Sequence, residues 1–308
     1  MKITGVSMLN EHELVSIFCE IDDFLIEFKD YQDKNLLPSS TQSKRGPACS
    51  LSNSEIMLIL ILFQMLGYRN FKTFYQGFIC RYWYEYFPKL PSYTRFVELI
   101  SRVIMPLTFF TTLRSGKRRG IYYIDSSCLP NCNIKRSRRH RTFEGVAKYG
   151  KTSVGWFFGL KLHIVINDIG EIIAFKITQG NRSDVKIAES LLTDLQGLAF
   201  GDKGYIGKNI FDSLLNKGLK LITRKRKNMK KDKSMSDYEK QLLNQRGLVE
   251  TVFDCLKNKF HVWHTRHRSI ANAMTHLMAA LAAYAIEPLK LNAIKRISTN
   301  KNTPAIKM

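Results

Sequence analysis

Two aspartates and one glutamate carry the chemistry open to this sequence. Asp125 closes the run IYYI in GIYYIDSS, which starts at Gly120, and Asp202 follows Leu198–Phe200 in LAFGDKGY. A short β-branched and aromatic run is the pattern of a strand buried on both faces. An acid at the end of such a strand has poor strand propensity and is costly to bury alone, so it caps a turn, pairs with a base or binds a metal. For Asp125 alone, a turn through Ser126 and Ser127 is an equal reading. Two strand ends carrying acids point instead to one shared site. Paired carboxylates holding two divalent cations, Mg²⁺ or Mn²⁺, can activate an oxygen nucleophile, and they need a third acid from another element.

A long helix expected from Ser236 or Asp237 to about Phe260 offers Asp237, Glu239, Glu250 and Asp254. Arg246 and Glu250 are one turn apart and Lys257 lies two turns further, so the three share a face. Leu242, Val249, Phe253, Leu256 and Phe260 form the apolar face. Spacing alone leaves two alternatives open: an exposed ion pair contributing about a few tenths of a kcal/mol, and Asp254 in place of Glu250. The histidines are weaker candidates. His163 sits in an alternating strand pattern and reads as structural, while His261, His264 and His267 follow the long helix without metal-ligating neighbours, which suits backbone contact with DNA or solvation.

Charge identifies the partner class. The 308 residues hold 48 Lys and Arg against 26 Asp and Glu, a net +22, which points to a polyanion. Residues 1–119 carry only +4, so +18 lies with the strand-end acids. Two runs stand out: Lys135, Arg136, Arg138, Arg139 and Arg141 around His140, and RKRKNMKKDK from Arg224 through Lys225, Arg226 and Lys227 to Lys233. Such runs are usually solvated loops; beside a metal site they make a phosphate track, with Lys203, Arg246 and Lys257 nearer the reacting bond. Six scattered cysteines, with only Cys128 and Cys132 close, fit neither a zinc site nor a disulfide scaffold. No signal-peptide pattern opens the chain, and the most apolar run, Ile56–Phe63, is too short to cross a bilayer, so a cytoplasmic, nucleoid-associated protein without membrane contact is expected.

The elements that must position these residues fall into two groups. Residues 1–119 read as helices: an amphipathic one over Glu11–Tyr31, a linker over Asn35–Ser50, then helices from Ser52 or Asn53 to Leu66, from Phe71 to Tyr84, and from a Ser92 cap towards Leu113. Residues 120–290 read as strand 120–126, strands Ser153–Ile166 and Glu171–Thr178 joined by an NDIG hairpin, helix Asp184–Leu195, strand Leu198–Phe200, helix Asn209–Asn216, strand Leu219–Thr223, the long helix, and a last helix Ala271–Ile286. Residues 291–308 form a basic polar tail. The order βββαβαβα is that of an RNase H-like α/β core, a mixed sheet whose first and fourth strands are neighbours, which would bring Asp125 to Asp202.

Taken together, YYIDSS, GKTSVGWFFGLKLHIVIND with ITQGNRSD after it, GDKGYIG, the R-x3-E-x6-K pattern on Arg246, Glu250 and Lys257, and FPKLPSYTRF from Phe87 to Phe96 make the chain resemble bacterial DDE transposases of insertion-sequence family 982. The resemblance covers most of the chain. It implies that Asp125, Asp202 and Glu250 are the catalytic and metal-binding triad, which selects Glu250 over Asp254. It also implies cleavage at terminal inverted repeats and joining of 3′-hydroxyl ends to target DNA by a homo-oligomer; residues 1–119, a near-neutral helical unit ahead of a basic core, are then expected to recognise the ends by reading base edges, although no recognition helix is identifiable in them. Leu243 stands where related transposases often have a Tyr seven residues before the Glu, which puts one DNA contact in doubt. Two alternatives stand beside it: a domesticated DNA-binding protein that has lost catalysis, which the presence of all three acids disfavours, and a metal-dependent nuclease without strand transfer, which uses the same site.

Overall fold

The computed structural model describes residues 10–35, 50–224, 235–263 and 267–287. The linker expected around 36–49, most of the second basic run including Lys225, Arg226 and Lys227, His264, and the basic tail lie outside these residues. The chain divides into two compact units, one of residues up to Arg114 together with Leu256–Tyr284, the other of Ser115–Cys255 with the residues after Tyr284.

In the first unit the described elements are helical: α1 (Glu11–Asn35), α2 (Asn53–Met65), α3 (Phe71–Phe74), a π turn Tyr75–Ile79 leading into α4 (Cys80–Tyr82), α5 (Tyr93–Leu99), a 3-10 turn Ile100–Val103 and α6 (Ile104–Leu113). Ser52 starts α2 with a reciprocal cap, its side chain accepting from the Glu55 N–H while Glu55 accepts from the Ser52 N–H. The last long helix among the described residues, Ile270–Ile286, is mostly apolar and buried here. Asn272 Nδ2 donates to the Val97 carbonyl at 3.0 Å, Thr111 Oγ1 to that of Met278 at 3.3 Å, and the His276 ring meets Phe63 and Phe71 edge-on. The compact units therefore do not follow chain order alone, because this helix finds its apolar partners among the N-terminal helices. The stretch Tyr93–Leu113 is long and apolar enough to cross a membrane by length and composition, and 44% of its apolar 18-residue window is buried.

The second unit is a mixed sheet with helices. Its strands are β1 (Ile121–Cys132), β2 (Lys148–Lys151), β3 (Trp156–Asn167), β4 (Ile172–Gln179), β5 (Gly197–Gly201) and β6 (Leu219–Thr223), in the order β2-β3-β1-β5-β6, with β4 also on β3. β1 pairs antiparallel with β3 and parallel with β5, so the strands bearing Asp125 and leading to Asp202 are neighbours, as the element order predicts. Only Gly fits at 197, where φ is +110° and an added Cβ would lie 2.2 Å from the Gly120 carbonyl oxygen. Helices α7 (Asp184–Leu192) and α8 (Lys208–Asn216) bury Ala188, Leu192, Ile210 and Leu214 against Tyr122, Ile124, Val165 and Ala199 of the sheet.

Three expectations change. β1 does not end at Asp125 but continues seven residues to Cys132, because β3 keeps pairing with it after β5 has parted at Tyr123. A short strand, β2, lies before β3 at the sheet edge. The long helix is two, α9 (Asp237–Asn244) and α10 (Gly247–Asn258), numbered before α11 (Ile270–Ile286). At the break the Gln245 amide is shared between the Gln241 and Leu242 carbonyls and the Arg246 amide reaches back three residues, to Leu243, tightening the turn before Gly247.

Candidate active site

Asp125 sits in mid-strand, two residues past the last β1–β5 pair, so its side chain lies where the neighbouring strand has just left the sheet. Asp202 is the residue after β5 and opens a 3-10 turn, Lys203–Tyr205. The Ser126 N–H donates to Asp125 Oδ1 at 2.8 Å. From the break between α9 and α10, Arg246 donates to Asp125 Oδ2 at 3.4 Å and to Glu250 Oε1 at 2.5 Å. One guanidinium thus spans two of the three expected acids. Its side chain is 19% exposed and that of Asp125 23%, whereas Glu250 is 61% exposed.

Burial dominates the electrostatics of Asp125 and pushes its carboxyl up to about 6. The Ser126 amide and the Arg246 cation pull it down, while the charges of Asp202 and Glu250 push it up. Asp125 thus feels both of the other expected acids. Among the described residues, no three His, Cys, Asp or Glu side chains are gathered to hold a metal ion. The donor chemistry nonetheless fits Mg²⁺ or Mn²⁺, since all three groups are hard oxygen donors and a cation, the Arg246 guanidinium, already bridges two of them.

The other candidates for the third acid have separate roles. Glu239 completes the Ser236 cap and pairs with Lys220 at 2.5 Å; that bond holds its carboxyl below the usual range. Asp237 pairs with Lys240 at the surface. Lys203 is exposed next to Asp202. Lys257 lies past the last α10 residue of this unit, its Nζ 4.6 Å from the Trp263 ring centroid. Lys135, Arg136, Arg138 and Arg139 are exposed on a 3-10 turn, Ile134–Arg139, that Asn133 caps, and Arg141 is exposed just after it. Arg224 donates to Asn244 Oδ1. At Gly201 an added Cβ would sit 3.0 Å from the Tyr205 ring, so its bareness admits that side chain, while Gly204 is open.

Asp184, read in the sequence only as a helix start, belongs to this neighbourhood. Its Oδ1 accepts from Ser126 Oγ at 3.1 Å and from Lys161 Nζ at 3.1 Å, and His163 Nδ1 lies 3.7 Å away. His163 is 1% exposed and bonded to Thr178, and burial pushes it down to about 4, in keeping with a structural role. Tyr205 is buried nearby, its phenol pushed up by burial first and then by the charges of Asp125 and Asp184. The sequence carried Asp184 in ITQGNRSD, but an acid in the first turn of a helix is also an ordinary helix start, so nothing there singled it out.

A sequence family described as "Transposase DDE domain" matches residues 115–270, just over half of the chain. The chain belongs to the DDE transposase family. Among solved structures, the cryo-EM structure of a piggyBac transposase synaptic complex with hairpin DNA aligns over 94% of this chain and 75% of that chain, at 10% identity and a TM-score of 0.48. No curated protein matches. The family match begins at the start of the second unit and spans Asp125, Asp202, Arg246 and Glu250 of this DDE transposase.

Proposed function

We propose that this DDE transposase serves an insertion sequence of family 982, cutting the element ends and joining their 3′-hydroxyls to target DNA. The observation that carries this reading is the Arg246 bridge between Asp125 and Glu250, on a strand whose parallel neighbour delivers Asp202. Asp125, Asp202 and Glu250 would hold Mg²⁺ or Mn²⁺, two ions in the usual form of this chemistry. When bound, such ions lower the pKa of a nucleophilic hydroxyl and neutralise charge on the departing oxygen.

The protein's own residues do the rest. Arg246, positioned by two carboxylates, would place its guanidinium for a phosphate beside them, and Lys203 adds a second positive charge beside Asp202. The exposed Lys135–Arg141 run and Arg224, with Lys225, Arg226 and Lys227 after it in sequence, would track the DNA backbone. Residues 1–119 would select the terminal repeats, and a homo-oligomer would hold two ends together, in the nucleoid of the cell. The test supplies purified protein, Mg²⁺ and a duplex with a pre-cut 3′-hydroxyl end beside a target plasmid. Joined product is expected from the wild type and none from Asp202→Asn, which should keep its DNA affinity. Cutting by Asp202→Asn overturns the site, and cutting without joining leaves a nuclease.

A further inference from the structure

Seven large apolar side chains are exposed among the described residues of the second unit, and five of them, Ile134, Val146, Tyr149, Val154 and Trp156, fall within one short segment. That segment, residues 133–156, also carries seven Lys and Arg against one acid, Glu144. Structurally it is the 3-10 turn after β1 together with the β2–β3 hairpin. Ser137 Oγ and Tyr149 Oη lie 2.6 Å apart and tie the turn to β2. The hairpin loop is ordered by the Thr152 N–H donating to the Gly155 carbonyl at 2.8 Å, with Gly155 at φ +149°. Its tip presents Val154 at 96% exposure and, beside it, Trp156 at 61%, with Lys151 Nζ 5.7 Å from the indole ring centroid.

Lysines on an edge strand can serve simply to block pairing with another sheet, and Lys148 and Lys151 do occupy such a strand. That role is weakened, not helped, by an exposed Trp and Val. Flat aromatic surface ringed by cations is instead the chemistry that binds a nucleobase between phosphates, by stacking and charge together. We infer that the β2–β3 hairpin opens a base step in the bound DNA, Val154 wedging between bases and Trp156 stacking on the one exposed. Lys148, Lys151, Arg136 and Arg138 hold the flanking phosphates. Register places the step. Trp156 lies eight residues along β3 from Ile164, the partner of Asp125, a span of about 26 Å at strand rise. That is about eight base pairs from the reacting phosphate for a duplex lying along these strands.

The inference rests on the DNA transposase reading and is tested apart from its chemistry. Full-length protein is titrated, in EDTA, with a duplex carrying 2-aminopurine opposite an abasic site and with the fully paired duplex. Wild type should prefer the first and quench its fluorescence. Trp156→Ala should lose that preference by roughly five- to a hundredfold, the range for one stacked base. Trp156→Phe should retain it, and both variants should keep the salt dependence of binding, since no charge changes. An unaltered preference in Trp156→Ala overturns the inference. So does a loss of self-association in Trp156→Ala with its DNA preference intact, which would assign the hairpin to a second copy of the chain. If wild type binds the paired duplex but shows no preference, only the hairpin assignment falls; if it binds no DNA, the transposase reading falls with it.

Discussion

Asp125 and His163 sit on neighbouring strands, Ser126 facing His163 across β1 and β3, and their titrations oppose each other. An acid raised from 3.8 to about 6 makes the fold hold a proton that the unfolded chain has released, so stability falls as pH rises through that window. A histidine lowered from 6.5 to about 4 does the reverse, and stability falls as pH drops from 6.5. Each shift is about 3 kcal/mol. In metal-free protein the two slopes should nearly cancel between pH 4 and 6.5. Urea titrations of Asp125→Asn should reveal the acid loss set by His163, and those of His163→Gln the loss towards neutral pH set by Asp125. Identical pH profiles in wild type and both variants would refute the pairing. Adding Mn²⁺ at pH 7 should raise the midpoint of wild type more than that of Asp125→Asn, if Asp125 is a ligand. The sequence made Asp125 legible through its apolar approach, IYYI, but hid its mid-strand place. Ser126 and Ser127 look like a turn, yet they are strand residues on a stretch where only β3, among the described strands, remains as partner.

At the scale of elements, a clear periodicity or cap in the sequence marked several well: the Ser52 cap, strand Leu219–Thr223 and the NDIG hairpin all stand where the pattern put them. The break between α9 and α10 was hidden because Leu242, Val249, Phe253 and Leu256 keep a helical period across it. β2 was hidden because KYGK is too short and polar to alternate. Yet these two features set the site, one aiming Arg246 at Asp125 and Glu250, the other completing the hairpin beside the basic turn. Replacing Arg136, Arg138 and Arg139 by Gln on that exposed turn removes charge without removing packing. The plot of log affinity against log salt should flatten by about 0.9 for each phosphate that the protein no longer neutralises. A slope equal to that of wild type, read by fluorescence anisotropy at several salt concentrations, would make the run a solvated turn and no more.

For the molecule as a whole, chain order and compact unit diverge. Charge separates cleanly, with 27 Lys and Arg against 14 acids over residues 115–255, and this was visible in sequence; that α11 belongs with the N-terminal helices was not, because apolar periodicity shows that a face is buried but not against what. The consequence is a sharp difference between two truncations. A chain from Ser115 to the C-terminus keeps α11 but loses the helices that bury Ala279, Ala280, Leu281, Ala282 and Ala283, each at most 1% exposed. It should aggregate, since an apolar face of that extent has no cover left. Residues 115–255 alone lack α11 and should stay soluble, bind DNA with a steep salt dependence, and lose any preference for terminal repeats over random sequence, because base reading is assigned to the near-neutral helical unit. Sedimentation of both truncations and competition binding of the second decide it. A soluble, monomeric 115–308 chain would show that α11 does not depend on the N-terminal helices. Undiminished repeat preference in 115–255 would move end recognition into the catalytic unit, leaving the helices to another task such as pairing subunits.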